Sequence, residues 1–288
     1  MTDSKPFDVT CFGAAHVDLI AKAEEPLIAR SSTPGNIRQA IGGVAGNVAR
    51  QMSRRGVQVA MVSQTGDDRE ADFVRDVMTE EGVDVSGIIR NAAERTGSYL
   101  AIEDPEGEMA LAVSDTHALQ NMRSSDLINI AKKHLQSTRW FLDANLTTEM
   151  QDVLINLDQT PAIAIDAVSV AKVIRLRDHL KEFALLFCNR EEAEALFQQK
   201  FETTQEAGQA MADHGVAASV VTDGPRPLCV QSGAALDLID IPPVEVASVT
   251  GAGDASIAGT LAALVNGQDL PAAAKEGISA AAKQLSGK

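Results

Sequence analysis

From about residue 139 onward the chain alternates short apolar runs with amphipathic ones, and this alternation narrows the fold more than any other feature. Strands are expected at 139–142, 162–166, 184–187, 218–222 and 228–231, with helices at 149–157, 171–179, 190–198 and 204–214. Strands alternating with helices imply a parallel sheet covered by helices on both faces. In such sheets ligands lie beyond the carboxyl ends of the strands. The polar residues just after strands are therefore the ones to collect: Asp18, Asp143, Asn145, Asp166, Asn189, Asp223 and Asp254.

The first half is less regular. A buried strand at 7–12 is closed by Gly13, and 16–20 reads as more strand, so the single glycine does not make a dinucleotide-binding turn, which needs GxGxxG and an immediate helix. Residues 24–39 are expected to be irregular and polar. Gly42 and Gly43 then open an amphipathic helix with Asn47 one turn in, where they permit close backbone approach. A strand at 57–63, a helix at 71–81 and a strand at 83–90 follow. Runs 96–103 and 108–113 flank Asp104-Pro105-Glu106-Gly107 as a hairpin, locally paired and so suited to an antiparallel appendage.

Near the C-terminus, Val249-Thr250-Gly251-Ala252-Gly253-Asp254-Ala255-Ser256 joins a β-branched run to an alanine-rich helix expected at 255–265. Glycines at a helix start bring bare N–H groups and the positive end of the dipole to one place, which is an anion site. A carboxylate beside it is either a helix cap or a base that takes a proton from a hydroxyl attacking a phosphate. The octapeptide alone leaves both open. Asn189 and Glu192, three apart at a helix start, either cap that helix or hold hydrated magnesium on nucleotide phosphates.

A formal net charge of −15 argues against nucleic acid or an anionic membrane as partner. No apolar run reaches the roughly 18 residues of a membrane span, the first residues lack a secretory pattern, and cytoplasm is expected. Cys11, Cys188 and Cys229 form no CxxC pair and indicate neither a disulfide framework nor a zinc site. A Walker A motif, a GxSxG elbow and an HExxH pattern are all missing from the sequence.

Taken together, residues 249–255, the pair Gly42 and Gly43 with Asn47, Asn189 with Glu192, and Asp18 resemble, in order and separation, the signatures of the ribokinase-like (pfkB) carbohydrate kinases. The resemblance covers almost the whole chain. It implies an α/β fold: one ribokinase-like domain over 1–288, a three-layer α/β/α sandwich around a central, mostly parallel sheet. A small antiparallel β lid would be formed by about 18–41 and 96–114. It also implies ATP-dependent phosphorylation of a primary alcohol, with Asp254 as base and the amides of Gly251, Ala252 and Gly253 stabilising the transferring phosphoryl group. Asp18, Gly42, Gly43 and Asn47 would hold sugar hydroxyls. Thr222, Gly224 and Thr250 would lie near the nucleotide, and Asn189 with Glu192 would organise Mg2+ and phosphate. A K+ requirement is left open, and the lid implies a homodimer.

Further stretches resemble the pseudouridine kinase branch of that family. They are Ser32-Thr33-Pro34-Gly35, Thr96-Gly97-Ser98-Tyr99-Leu100 with Gly107-Glu108-Met109, and Asp166-Ala167-Val168-Ser169 with Lys172. By that resemblance Ser32, Thr33 and Asp115 are candidates for reading a base, Asp166 for holding substrate, and Lys172 is either a substrate contact or a surface lysine. The chain departs from the family at the turn 222–227, which lacks a second glycine, at Cys188, and in ending at Lys288, short of material many relatives carry. A kinase for ribose or another nucleoside, and a catalytically silent nucleoside-binding relative, are the competing expectations.

Overall fold

The computed structural model describes residues 7–246 and 251–287. In chain order its elements begin with β1 (Val9–Phe12), β2 (His16–Ala23), β3 (Gly35–Gly42), α1 (Val44–Ser53), β4 (Val59–Thr65), α2 (Arg69–Glu80) and β5 (Asp84–Arg90). Then come β6 (Ser98–Glu103), β7 (Met109–Asp115), α3 (His117–Gln120), α4 (Ser124–Ala131), β8 (Arg139–Asp143), α5 (Thr148–Ile155) and β9 (Ala162–Asp166). The remainder is β10 (Leu185–Asn189), α6 (Arg190–Phe197), α7 (Thr204–Asp213), β11 (Ala218–Thr222), β12 (Leu228–Ser232), β13 (Ala235–Ile239), α8 (Ala252–Val265) and α9 (Leu270–Ser286).

Nine strands form one sheet in the order β13-β12-β11-β10-β9-β8-β1-β4-β5, parallel from β11 to β5 and antiparallel at β12 and β13. The central strands are buried on both faces, which is why they read as nearly continuous apolar runs. Their side chains alternate between two cores. Trp140, Leu142, Ile163 and Ile165 point into a core completed by α4 to α7, whereas Phe141, Ala164, Leu185 and Val220 point into one completed by α1, α2, α8 and α9. Helices thus cover both faces, giving the three-layer α/β arrangement.

A second sheet has the order β3-β2-β6-β7, antiparallel at both edges and parallel between β2 and β6. β3 corrects the expectation that 24–39 is irregular throughout. Gly35 to Ala40 carries polar residues on an exposed edge, so backbone pairing to β2 makes the strand where apolar periodicity could not. The segment expected as a helix at 171–179 is a 3-10 turn over Val173–His179, entered through Val168 at φ 65. A β-branched residue in that region is strained, and Val168 lines the central cavity.

Candidate active site

α8 starts at Ala252, three residues before the expected position. Gly251, at φ 77, is its N-cap, and Asp254 falls within the first turn. No side chain caps this helix end. The Asp254 Oδ2 instead accepts a hydrogen bond of 2.8 Å from Asn47 Nδ2 on α1, so the cap reading gives way. The first amides of α8 have no intrahelical partner, and the helix dipole puts its positive end there. A Cβ at Gly253 would meet no protein atom within 4 Å, so packing does not require glycine; the space it leaves belongs to whatever approaches these amides. Thr250 lies outside the described residues.

Two cavities meet at this point, sharing Thr222, Gly253 and Ser256. One, of about 230 Å³, is acidic, with Asp166, Glu192 and Asp254 in its wall. Burial raises the Asp254 carboxyl to about 7, helped by Asp143 and Asp18 and opposed by the Asn47 hydrogen bond. Burial, then the neighbouring Glu192 and Asp254, push Asp166 well up, and burial also raises Glu192. The other cavity, of about 660 Å³, is apolar, walled by Leu228, Ile241, Pro243, Val244, Ile278 and Leu285, with the turn Thr222 to Gly224 at one end.

Asn189 and Glu192 form a reciprocal capping box at the start of α6: Glu192 N–H donates to Asn189 Oδ1 and Asn189 N–H to Glu192 Oε2, both at 2.8 Å. The capping alternative therefore holds, but the glutamate is buried rather than on the surface. Among the described residues no three His, Cys, Asp or Glu side chains are grouped to hold a metal. An ion between Glu192, Asp166 and Asp254 would have to draw further ligands from water or a substrate, as Mg2+ on phosphates does.

On the acceptor side, Asp18 lies on β2 with its carboxylate against Gly42, where a Cβ would fall 1.8 Å from Asp18 Oδ1. Gly43, at φ 90, brings its backbone so near that a Cβ would stand 2.2 Å from the Ala14 carbonyl oxygen. Asp143, at the end of β8, ties this corner together. Its Oδ2 accepts from the Ala14 and Ala45 amides at 3.0 and 2.9 Å, and its Oδ1 from the Asn145 amide at 2.9 Å. Lys172 is half-buried rather than on the surface and donates to Asn145 Oδ1 at 2.5 Å.

Asp18, Gly42, Gly43, Asn47, Asp166, Asn189, Glu192, Thr222, Gly224 and residues 251–254 thus gather around one cleft. Ser32, Thr33 and Asp115 do not join them. Ser32 and Thr33 sit beyond the Ala23–Gly35 end of the β2–β3 pair, five residues along the strand from Asp18, about 17 Å. Asp115 is level with Val17 in the ladder, on the opposite face from Asp18, and contacts His117 Nδ1 at 2.7 Å. Ser256 and Val168, which were not among the expected site residues, line the acidic cavity.

The family model of pfkB carbohydrate kinases matches residues 7–288. The chain belongs to that family. A pseudouridine kinase of Escherichia coli (strain K12) is 26% identical over 268 residues, covering 90% of this chain and 84% of the relative. A carbohydrate kinase from Agrobacterium tumefaciens superposes with a TM-score of 0.85 at 28% identity, over 95% of this chain and 89% of that one. An Arabidopsis thaliana ribokinase complexed with ribose and ATP superposes at 0.84 with 17% identity, over 97% and 93% of the two chains, a likeness of fold. The fold is ribokinase-like, and the protein is a pfkB-family kinase, a phosphotransferase with an alcohol group as acceptor.

Proposed function

We propose that this kinase transfers the γ-phosphate of ATP to the 5′-hydroxyl of a nucleoside, pseudouridine foremost. The observation that carries the reading is the junction at Gly253. There an apolar cavity broad enough for a purine nucleoside meets an acidic one whose aspartate is raised to about 7. ATP enters with its base among Leu228, Ile241 and Ile278 and its phosphates at the start of α8. The amides of Ala252 and Gly253 face the transferring group and spread its charge, and Asp254 takes the proton of the acceptor hydroxyl. Asn47 orients Asp254, and Asp18 holds acceptor hydroxyls from β2. Mg2+, when bound beside Asp166 and Glu192, neutralises phosphate charge.

The four-stranded sheet acts as the lid, and its outward face supports a homodimer. Leu19, Ile37, Leu100, Leu111 and Val113 share one face of the ladder and are exposed, an open apolar patch of the sort a second copy covers. Ser32 and Thr33, at the far end of the lid from Asp18, would reach an acceptor only from a second chain. The nucleoside preference is supported by the hairpin and turn resemblances and by the Escherichia coli relative.

Purified protein incubated with ATP and Mg2+ against pseudouridine, uridine, ribose and fructose 6-phosphate is expected to give its highest kcat/KM with pseudouridine, with a 5′-phosphate product by mass spectrometry. Turnover of ribose with none of pseudouridine would contradict the substrate and leave the kinase.

A further inference from the structure

Two neighbouring strand ends carry a charged pair that the transfer itself does not use. Asn189 of β10 is level with Thr222 of β11, and the next residues along are Arg190 and Asp223. Arg190 Nε donates to Asp223 Oδ2 at 2.9 Å, the two side chains being 18% and 19% exposed. Arg190 is the first residue of α6, a poor place for a cation. The positive end of the helix dipole opposes it, and an arginine four residues ahead of a glutamate is the less favourable order of such a pair. Helix stability therefore does not account for this arginine.

Its hydrogen bonds do. Arg190 Nη1 donates to Glu194 Oε1 at 2.5 Å and to the Phe201 carbonyl at 2.9 Å. Glu194 is buried and is itself held by Lys200 at 2.5 Å and the Phe201 amide at 3.2 Å. The guanidinium is thus fixed from one side and presents Nε to Asp223 on the other. Asp223 belongs to the turn that walls one end of the apolar cavity. The far end of that turn is tied to α7, where the Thr204 hydroxyl donates to the Pro227 carbonyl at 2.8 Å. The near end is tied to α6 through the Asp223 carboxylate. Arg226 also reaches Asp223 Oδ2 at 2.9 Å, but it is exposed and lies within the turn, so it joins the turn to no other element.

We propose that Arg190 is a positioning residue for the phosphate donor: through Asp223 it holds the turn Thr222 to Gly224 against the nucleotide. This rests on the reading of the apolar cavity as the nucleotide site. Gly224, at φ 58 and with no protein atom within 4 Å of a Cβ, leaves its backbone open to a ligand. The ion pair sets where that backbone stands. An arginine serving only as a positive charge would attract the triphosphate directly, and the Asp223 carboxylate would weaken that attraction. The two roles therefore differ in sign at Asp223. Positioning needs the carboxylate, and simple attraction is stronger without it.

The test titrates ATP with Mg2+, in the absence of acceptor, calorimetrically into the full chain, comparing wild type with Arg190→Gln, Asp223→Ala and the double variant. Each single variant is expected to bind ATP roughly 10-fold more weakly, the scale of one lost charge-assisted hydrogen bond. The double variant is expected within about 2-fold of either single one, because both remove the same link. In turnover the loss is expected in KM for ATP, with kcat within about 3-fold and KM for the acceptor within about 2-fold. Should Arg190→Gln fold poorly, Asp223→Ala, which leaves Arg190 and Lys200 on Glu194, still decides. Asp223→Ala binding ATP as well as wild type or better, losses that multiply in the double variant, or a lowered melting temperature with ATP affinity unmoved, each overturns the proposal. If wild type binds no ATP, the nucleotide reading of the cavity fails and the role of Arg190 with it. Wild-type binding with unmoved variants overturns the role of Arg190 alone.

Discussion

Asp254→Asn is expected to lower kcat by roughly 10²-fold or more, the scale of a lost general base, with melting temperature and acceptor affinity close to wild type. Asparagine has nearly the same shape and can still accept from Asn47 Nδ2, so the contact between α1 and α8 survives. It cannot take a proton from the acceptor. The residual rate would come from the amides at the start of α8 and from positioning. Rapid-quench measurement of a single turnover separates this from slow product release. A variant retaining more than about a third of the wild-type rate lies outside what loss of a base permits.

Asp143→Ala is expected to produce the largest loss of stability, on the order of 4 kcal/mol, because it strands buried N–H groups at about 1–3 kcal/mol each. The Asp143 carboxylate is fully buried and takes hydrogen bonds from the amides of Ala14, Ala45 and Asn145, joining the loop after β1 to the start of α1. Burial raises its pKa and those bonds oppose the rise. The same packing accounts for Gly13, where a Cβ would sit 2.4 Å from Asp143 Cγ. Asp143→Asn keeps one oxygen for the Ala14 and Ala45 amides and turns an NH2 toward the Asn145 N–H, so a smaller loss of about 2 kcal/mol is expected. Urea unfolding with unchanged m-values reads both. A loss under about 1 kcal/mol in Asp143→Ala would mean that these amides find other partners.

The parallel sheet was legible because strands such as Arg139–Asp143 and Leu185–Asn189 are buried on both faces and leave apolar runs that composition exposes directly. β3 was not, since an exposed edge strand reading GNIRQAIG carries no periodic apolar face. Asp254 remained ambiguous in sequence because its meaning turns on where α8 begins. With Gly251 as cap it belongs to the first turn, and its partner is Asn47, 207 positions away. Asn189 and Glu192 were visible as a spaced pair, but that Glu192 is buried and shares an acidic cavity with Asp166 of β9 follows only from the packing of separate elements. Ser32 and Thr33 looked close to the acceptor in motif terms, and strand length puts them at the far end of the lid.

In the proposed transfer Asp254, raised by burial to about 7, is the base on the acceptor. A base works unprotonated, so kcat/KM should fall as pH drops through the folded pKa and level off above it. The Asn47 hydrogen bond favours the carboxylate, and removing it raises the pKa further. The decisive measurement is kcat/KM from pH 5 to 9 for wild type and Asn47→Ala. An acidic limb centred near 7 is expected in the wild type, displaced upward in the variant. A wild-type rate that stays level down to pH 5, or a limb that does not move in Asn47→Ala, would contradict it.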